Sequence, residues 1–173
     1  EAIDLLVRAF CRAGQDNVVI TPPTFGFYQV AARIQGAGVL EVPLVRDDFH
    51  LDARKVIAAG LRAKIVFLCS PNNPTGNLLD EVAMLRGCTE LAGKALVVVD
   101  EAYVEFCDRA SLTARLAEFQ NLVILRTLSK AYALAGARLG TVIASEEVIG
   151  LLRRIIPPYA IPASTVEEVL ALT

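Results

Sequence analysis

Five apolar residues in succession, Ala95-Leu96-Val97-Val98-Val99, run straight into two carboxylates, Asp100 and Glu101. This is the strongest apolar run in the chain, and it is far shorter than the about 20 residues a membrane-crossing helix needs. Val18 to Ile20, Val39 to Val42, Lys64 to Leu68, Leu122 to Leu125 and Thr141 to Ala144 are similarly short. Runs of this length suit strands covered on both faces by other elements. The residues between them carry a different period. Ile3, Leu6, Val7 and Phe10 share one helical face, and helices are expected over 26–35, 53–59, 78–91, 112–119 and 146–155. Strands alternating with helices predict an α/β fold, a mainly parallel sheet flanked by helices.

Charge and composition narrow the functions available. With 17 basic and 19 acidic residues the net charge is −2, which gives no electrostatic basis for binding nucleic acid or an anionic membrane. A hydrophobic fraction of 54% is high for a soluble chain, and buried strands account for it. Glu1 and Asp4 stand where a signal peptide would carry basic residues. Cys11, Cys69, Cys88 and Cys107 are far apart and form no metal-ligand pattern, so they read as reduced core thiols of a cytoplasmic protein. His50, the only histidine, lies in a polar loop, and no metal site is expected on it. Pro157, Pro158 and Pro162 break the alternation, and residues 157–163 are expected to be a connector. A further helix is expected to start with Ser164 as its cap and Glu167 as the capping-box partner. The chain is expected to start and stop inside helices, as a fragment would.

In open α/β sheets ligands bind beyond the carboxyl ends of the strands. Those ends collect chemistry here. Thr21-Pro22-Pro23-Thr24-Phe25 follows the first strand, and Ser70-Pro71-Asn72-Asn73-Pro74-Thr75-Gly76 follows the third. Asp100-Glu101-Ala102-Tyr103 and Arg126-Thr127-Leu128-Ser129-Lys130 follow the next two. Each group has a use on a phosphorylated pyridine aldehyde. Lys130 supplies an amine, and a desolvated, cation-flanked site would favour the neutral form that attacks an aldehyde. Asp100 can pair with a protonated ring nitrogen, Asn73 and Tyr103 can donate to a ring phenolate oxygen, and Phe25 can stack on the ring. Thr127 and Ser129 offer hydroxyls to a phosphate, and Arg138 offers a bidentate fork. Without that set the same residues are a helix cap, turn formers, a core aromatic and solvated charges. No Walker-type phosphate loop occurs, and Gly36-Ala37-Gly38 is too short for a dinucleotide fingerprint.

Taken together, the segments Ser70–Gly76, Asp100–Tyr103 and Ser129-Lys130 followed by Arg138 resemble the pyridoxal-phosphate (PLP) dependent aminotransferases of fold type I. Pro22 to Tyr28, Asp100 to Phe106 and Arg126 to Arg138 carry the resemblance further, and it runs from Glu1 to about Ile156. It implies a PLP-binding large domain over residues 1–156, with 157–173 leading to a small domain. It makes Lys130 the lysine bonded to the cofactor and the proton shuttle, and Asp100 the partner of the ring nitrogen. Asn73 and Tyr103 become ligands of the ring oxygen, and Thr127, Ser129 and Arg138 become phosphate ligands. Phe25 stands at the stacking position, where many members carry tyrosine. A Gly-containing segment ahead of Glu1 would add backbone N–H groups to the phosphate, and a small domain would add an arginine for the substrate carboxylate. The implied reaction moves an amino group between L-histidinol phosphate and 2-oxoglutarate, in a cytoplasmic homodimer. Aspartate or aromatic aminotransferases, threonine-phosphate decarboxylase and a non-catalytic PLP-binding sensor share the same cofactor residues and stay open.

Overall fold

The computed structural model describes residues 1–172. Among them six strands form one sheet in the order β2-β1-β3-β4-β5-β6. β1 (Asn17–Ile20), β2 (Gly38–Glu41), β3 (Ile65–Cys69), β4 (Leu96–Asp100) and β5 (Leu122–Thr127) run parallel. β6 (Gly140–Ile143) closes the edge antiparallel to β5. The expected mainly parallel α/β sheet is therefore the observed one.

Alternation along each strand sorts the side chains onto two faces. Val18, Ile20, Ile65, Phe67, Val98 and Val123 pack under α1 (Ala2–Phe10), α2 (Phe27–Gln35) and α5 (Glu146–Arg153). Val19, Val66, Leu68, Val97, Val99 and Ile124 pack on the opposite face, against α3 (Ala53–Gly60) and α4 (Glu81–Glu90). Every residue of β3 and β4 is buried, which is why their sequences show unbroken apolar runs rather than polar alternation. Local signals set the helix ends. Asp52 and Asp80 accept the N–H groups of Lys55 (3.1 Å) and Val82 (2.8 Å) at the starts of α3 and α4. Gly36 closes α2 at φ 76°, a left-handed cap that a side chain would strain.

Several expectations shift. The helix expected over 78–91 starts only at Glu81, because Asp80 caps it and Leu79 turns into the core. The stretch 112–119 forms a 3-10 turn over Leu112–Arg115 instead of an α-helix. Ser164 caps nothing: α6 (Ala163–Leu172) already contains it, with the Val166 N–H donating to the Pro162 carbonyl at 3.2 Å. Proline fits ahead of that first turn because its missing N–H has no helical partner to lose. Thr173, the last residue of the segment 157–173 expected to lead to a small domain, lies outside the described residues. All four cysteines are free, Cys11, Cys69 and Cys88 buried and Cys107 half-buried. His50 lies in an exposed loop beside Asp48, Nδ1 to Oδ1 2.5 Å. Among the described residues no helix is long and apolar enough to cross a membrane.

Candidate active site

The strand order reverses at β1, with β2 on one side of it and β3 on the other. A reversal of this kind opens a crevice beyond the carboxyl ends of the two diverging strands. The loops after β1 and β3 meet there. Buried Asn72 donates to the Pro23 carbonyl (2.8 Å) and to Thr75 Oγ1 (2.6 Å), and accepts from Thr24 Oγ1 (3.1 Å). Asn72 thus ties the two loops, and Asn73, half-buried, sits beside the tie.

Asp100 ends β4 with only 7% of its surface exposed. Its Oδ2 accepts the Tyr28 hydroxyl at 2.7 Å, and its Oδ1 accepts the Ala102 N–H at 3.1 Å. Burial pushes this carboxyl above the usual carboxylate range, while the Tyr28 bond, the Ala102 N–H and the charge of Lys130 pull it back. Tyr28 is wholly buried and lies flat on Phe67, ring centroids 4.8 Å apart and planes 4° apart. Phe25 meets Tyr28 edge-on at 5.5 Å. Sequence reasoning singled out Asp100 and missed Tyr28. A signal exists: Tyr28, Ala31 and Ala32 share the buried face of α2, and a hydroxyl on such a face needs a partner.

Lys130 Nζ stands 5.3 Å from the centroid of the Tyr103 ring, a contact that brings the ends of β4 and β5 together. The side chain of Lys130 is exposed, against the expectation of a desolvated amine, because the loop carrying it lies beyond the strand ends on the outer rim. β5 itself runs longer than its apolar run. Arg126 and Thr127 remain in the sheet, paired with Thr141 and Gly140 of β6. Thr127 Oγ1 accepts the Ser129 N–H at 3.1 Å, so both hydroxyl residues belong to one turn. Arg138 faces the same loop from its other end, with φ 54° and its guanidinium donating to the Ala135 carbonyl at 3.0 Å. The Leu128 N–H donates to the Leu139 carbonyl at 3.2 Å, closing the loop.

Behind the rim lies a second carboxylate. Glu101, 2% exposed, accepts the Ser111 hydroxyl (2.6 Å) and the Leu112 N–H (2.7 Å), with Arg126 Nη1 at 3.7 Å. Arg126 Nη2 also donates to Glu105 at 2.6 Å.

This donor set suits a flat, charged pyridine. A buried carboxyl whose burial opposes ionisation is stabilised as an anion by a cationic nitrogen placed against it. Lys130 and Tyr103 meet just past the ends of β5 and β4, and Thr127, Ser129 and Arg138 lie along the segment from the end of β5 to the start of β6. Lys64 and Lys94 lie at the opposite edge, next to the amino ends of β3 and β4.

A sheet reversing at β1, with a buried carboxylate ending one central strand and a lysine just past the next, fits the class I and II aminotransferases. The family model described as "Aminotransferase class I and II" matches residues 1–173, and the chain is a member of that family. It is 54% identical over 173 residues to the histidinol-phosphate aminotransferase of Stenotrophomonas maltophilia (strain R551-3), covering 96% of this chain and 47% of that one. Identity to the Xanthomonas campestris pv. campestris (strain ATCC 33913) histidinol-phosphate aminotransferase is 52% over 166 residues, 94% of this chain and 46% of the relative. The chain spans about half the length of the curated relatives it matches. Its structure resembles histidinol-phosphate aminotransferase from Sinorhizobium meliloti in complex with pyridoxal-5'-phosphate, TM-score 0.89 at 27% identity over 99% of this chain and 47% of that one. It also resembles L-threonine-O-3-phosphate decarboxylase from Porphyromonas gingivalis, TM-score 0.82 at 26% identity over 99% and 52%.

Proposed function

We propose that the chain is the PLP-binding large domain of an aminotransferase that exchanges an amino group between L-histidinol phosphate and 2-oxoglutarate. The observation that carries this reading is the buried, hydrogen-bonded Asp100 at the end of β4, with Lys130 beside Tyr103 at the end of the neighbouring strand. Identity above 50% to two bacterial histidinol-phosphate aminotransferases supports that substrate over the decarboxylase. Residues 1–156 form the large domain in this reading, and 157–173 lead to a small domain that supplies the rest of the substrate site. The whole enzyme is proposed to be a homodimer of the cytoplasm.

Bound PLP supplies an electron-withdrawing ring that makes a substrate proton acidic. The chain's own residues do the rest. Asp100 holds a proton on the ring nitrogen by facing it with a negative charge. Lys130 Nζ would hold the cofactor's aldehyde end and would carry a proton to and from the substrate. Tyr103 and Asn73 donate to the ring oxygen, and Phe25 covers one face of the ring. Thr127, Ser129 and Arg138 hold the phosphate, fixing the ring against Asp100 and Lys130. Borohydride reduction of the PLP-loaded full-length enzyme, followed by peptide mapping, tests the assignment. The pyridoxyl group is expected on Lys130, and its recovery on Lys55, Lys64 or Lys94 would overturn it.

A further inference from the structure

The reading above gives Tyr28 no task, yet no side chain is bound more closely to Asp100. α2 follows the loop after β1, and its buried face carries Tyr28 across the sheet to the end of β4, where its hydroxyl donates to Asp100 Oδ2 at 2.7 Å. Stacking on Phe67 fixes the direction of the phenol, leaving the hydroxyl little freedom to turn elsewhere. The remaining neighbours of the carboxylate are weak substitutes. Cys69 pairs with Asp100 in the sheet register, and burial pushes its thiol up to about 11, so it adds no charge at neutral pH. The Ala102 N–H reaches the other oxygen.

We propose that Tyr28 is a positioning residue whose hydroxyl holds Asp100 as an anion against the cofactor's ring nitrogen, so that the nitrogen keeps its proton. The inference rests on the reading that Asp100 faces that nitrogen. A proton shared between a ring nitrogen and a carboxylate has two arrangements. In one the N–H bond is intact and both groups are charged. In the other the N–H bond has broken, an O–H bond has formed, and the pair is neutral. A buried setting favours the neutral pair, because desolvation penalises both charges. Each donor on the carboxylate oxygens favours the charged pair, since it binds the anion more strongly than the neutral acid. Ala102 contributes a backbone donor that no side chain can replace, whereas Tyr28 contributes one that a single oxygen atom removes. Loss of a charge-assisted bond of this kind moves the balance toward the neutral pair by roughly tenfold to a hundredfold. The ring then draws electrons less strongly and proton removal from substrate slows.

The test uses the full-length enzyme reconstituted with PLP carrying 15N at the ring nitrogen. Tyr28→Phe keeps the stack on Phe67 and deletes the donor. The ring-nitrogen signal is expected to move from the protonated toward the unprotonated position, with kcat falling roughly tenfold or more while KM for the amino donor changes little. A wild-type signal in Tyr28→Phe overturns the proposal. Asp100→Asn, run in parallel, separates the two readings. A shift in Asp100→Asn without one in Tyr28→Phe removes only the role of Tyr28, and no shift in either removes the Asp100 assignment with it. Should Tyr28→Phe fail to fold, 4-aminophenylalanine at position 28 keeps the shape with a weaker donor. It is expected to give an intermediate signal, and an unmoved signal there also overturns the proposal.

Discussion

Replacing Glu101 by glutamine removes one buried charge and almost no volume, and its effect can be worked out bond by bond. The carboxylate receives the Leu112 N–H at 2.7 Å and the Ser111 hydroxyl at 2.6 Å. Bonds to a charged acceptor contribute about 1.5–3 kcal/mol and neutral ones about 0.5–1.5, so converting two of them costs about 2 kcal/mol. Arg126 Nη1, 3.7 Å away, then faces an amide instead of an anion. Arg126 keeps Glu105 at 2.6 Å and is partly open to water, which limits that loss to about 1 kcal/mol. The sum is about 3 kcal/mol, somewhat over a hundredfold in the opening of the segment that Glu101 anchors. Hydrogen exchange of the full-length enzyme, followed on peptides covering 108–116, reads this directly, because the Leu112 amide is itself the donor. Glu101→Gln is expected to accelerate its exchange by about two orders of magnitude, with peptides from β3 unchanged. Wild-type exchange at Leu112 would mean that the carboxylate is dispensable and that the 3-10 turn is held by the apolar contacts of Leu112 alone.

Three further outcomes follow from other parts of the molecule. A methyl group at Gly60 would sit 2.6 Å from Leu91 Cδ1 and 3.1 Å from Val66 Cγ2, so Gly60→Ala overpacks the α3–α4 contact by about 1–3 kcal/mol and lowers the thermal midpoint. Arg138→Ala should weaken PLP binding by roughly tenfold to a hundredfold in a titration of the full-length apoenzyme, with Arg138→Lys rescuing it only in part. The Arg12 guanidinium, hydrogen-bonded to Asp16, holds that carboxyl down at about 2, and a lowered acid stabilises the fold above its unfolded value. This contribution is lost as pH falls from about 4 through about 2, so Arg12→Ala should return the Asp16 carbonyl NMR titration toward about 4.

The parts of the fold that could be read from sequence are those whose cause is local. β3 and β4 are buried on both faces, and their apolar runs announce it. Asp100 and Lys130 stand out because a charged residue just past such a run has no core role. The parts that could not be read depend on partners distant in the chain. Tyr28 looks like one more core aromatic until Asp100, 72 positions away, arrives beside its hydroxyl. Arg126 and Thr127 look like loop residues until β6 pairs with them. Ser164 and Glu167 carry a correct capping pattern that Pro162 pre-empts, because the turn begins two residues earlier.

The antiparallel return of β6 has a consequence for how such a chain can vary. Because Thr127 and Gly140 are paired across the sheet, the loop holding Lys130 and Arg138 is pinned at both ends. Bonds from Ala133 to Lys130 (2.9 Å) and from Leu134 to Leu128 (3.0 Å) fold its interior into fixed turns. Inserting or deleting one residue between positions 128 and 139 cannot be absorbed by sliding either end. It would move the amine and the guanidinium relative to one another. Side chains exposed on that loop, such as Ala131 and Tyr132, are expected to tolerate substitution, whereas its length is held by the pairing of its ends. A one-residue change of length there is expected to part the amine from the guanidinium even with lysine and arginine both still present.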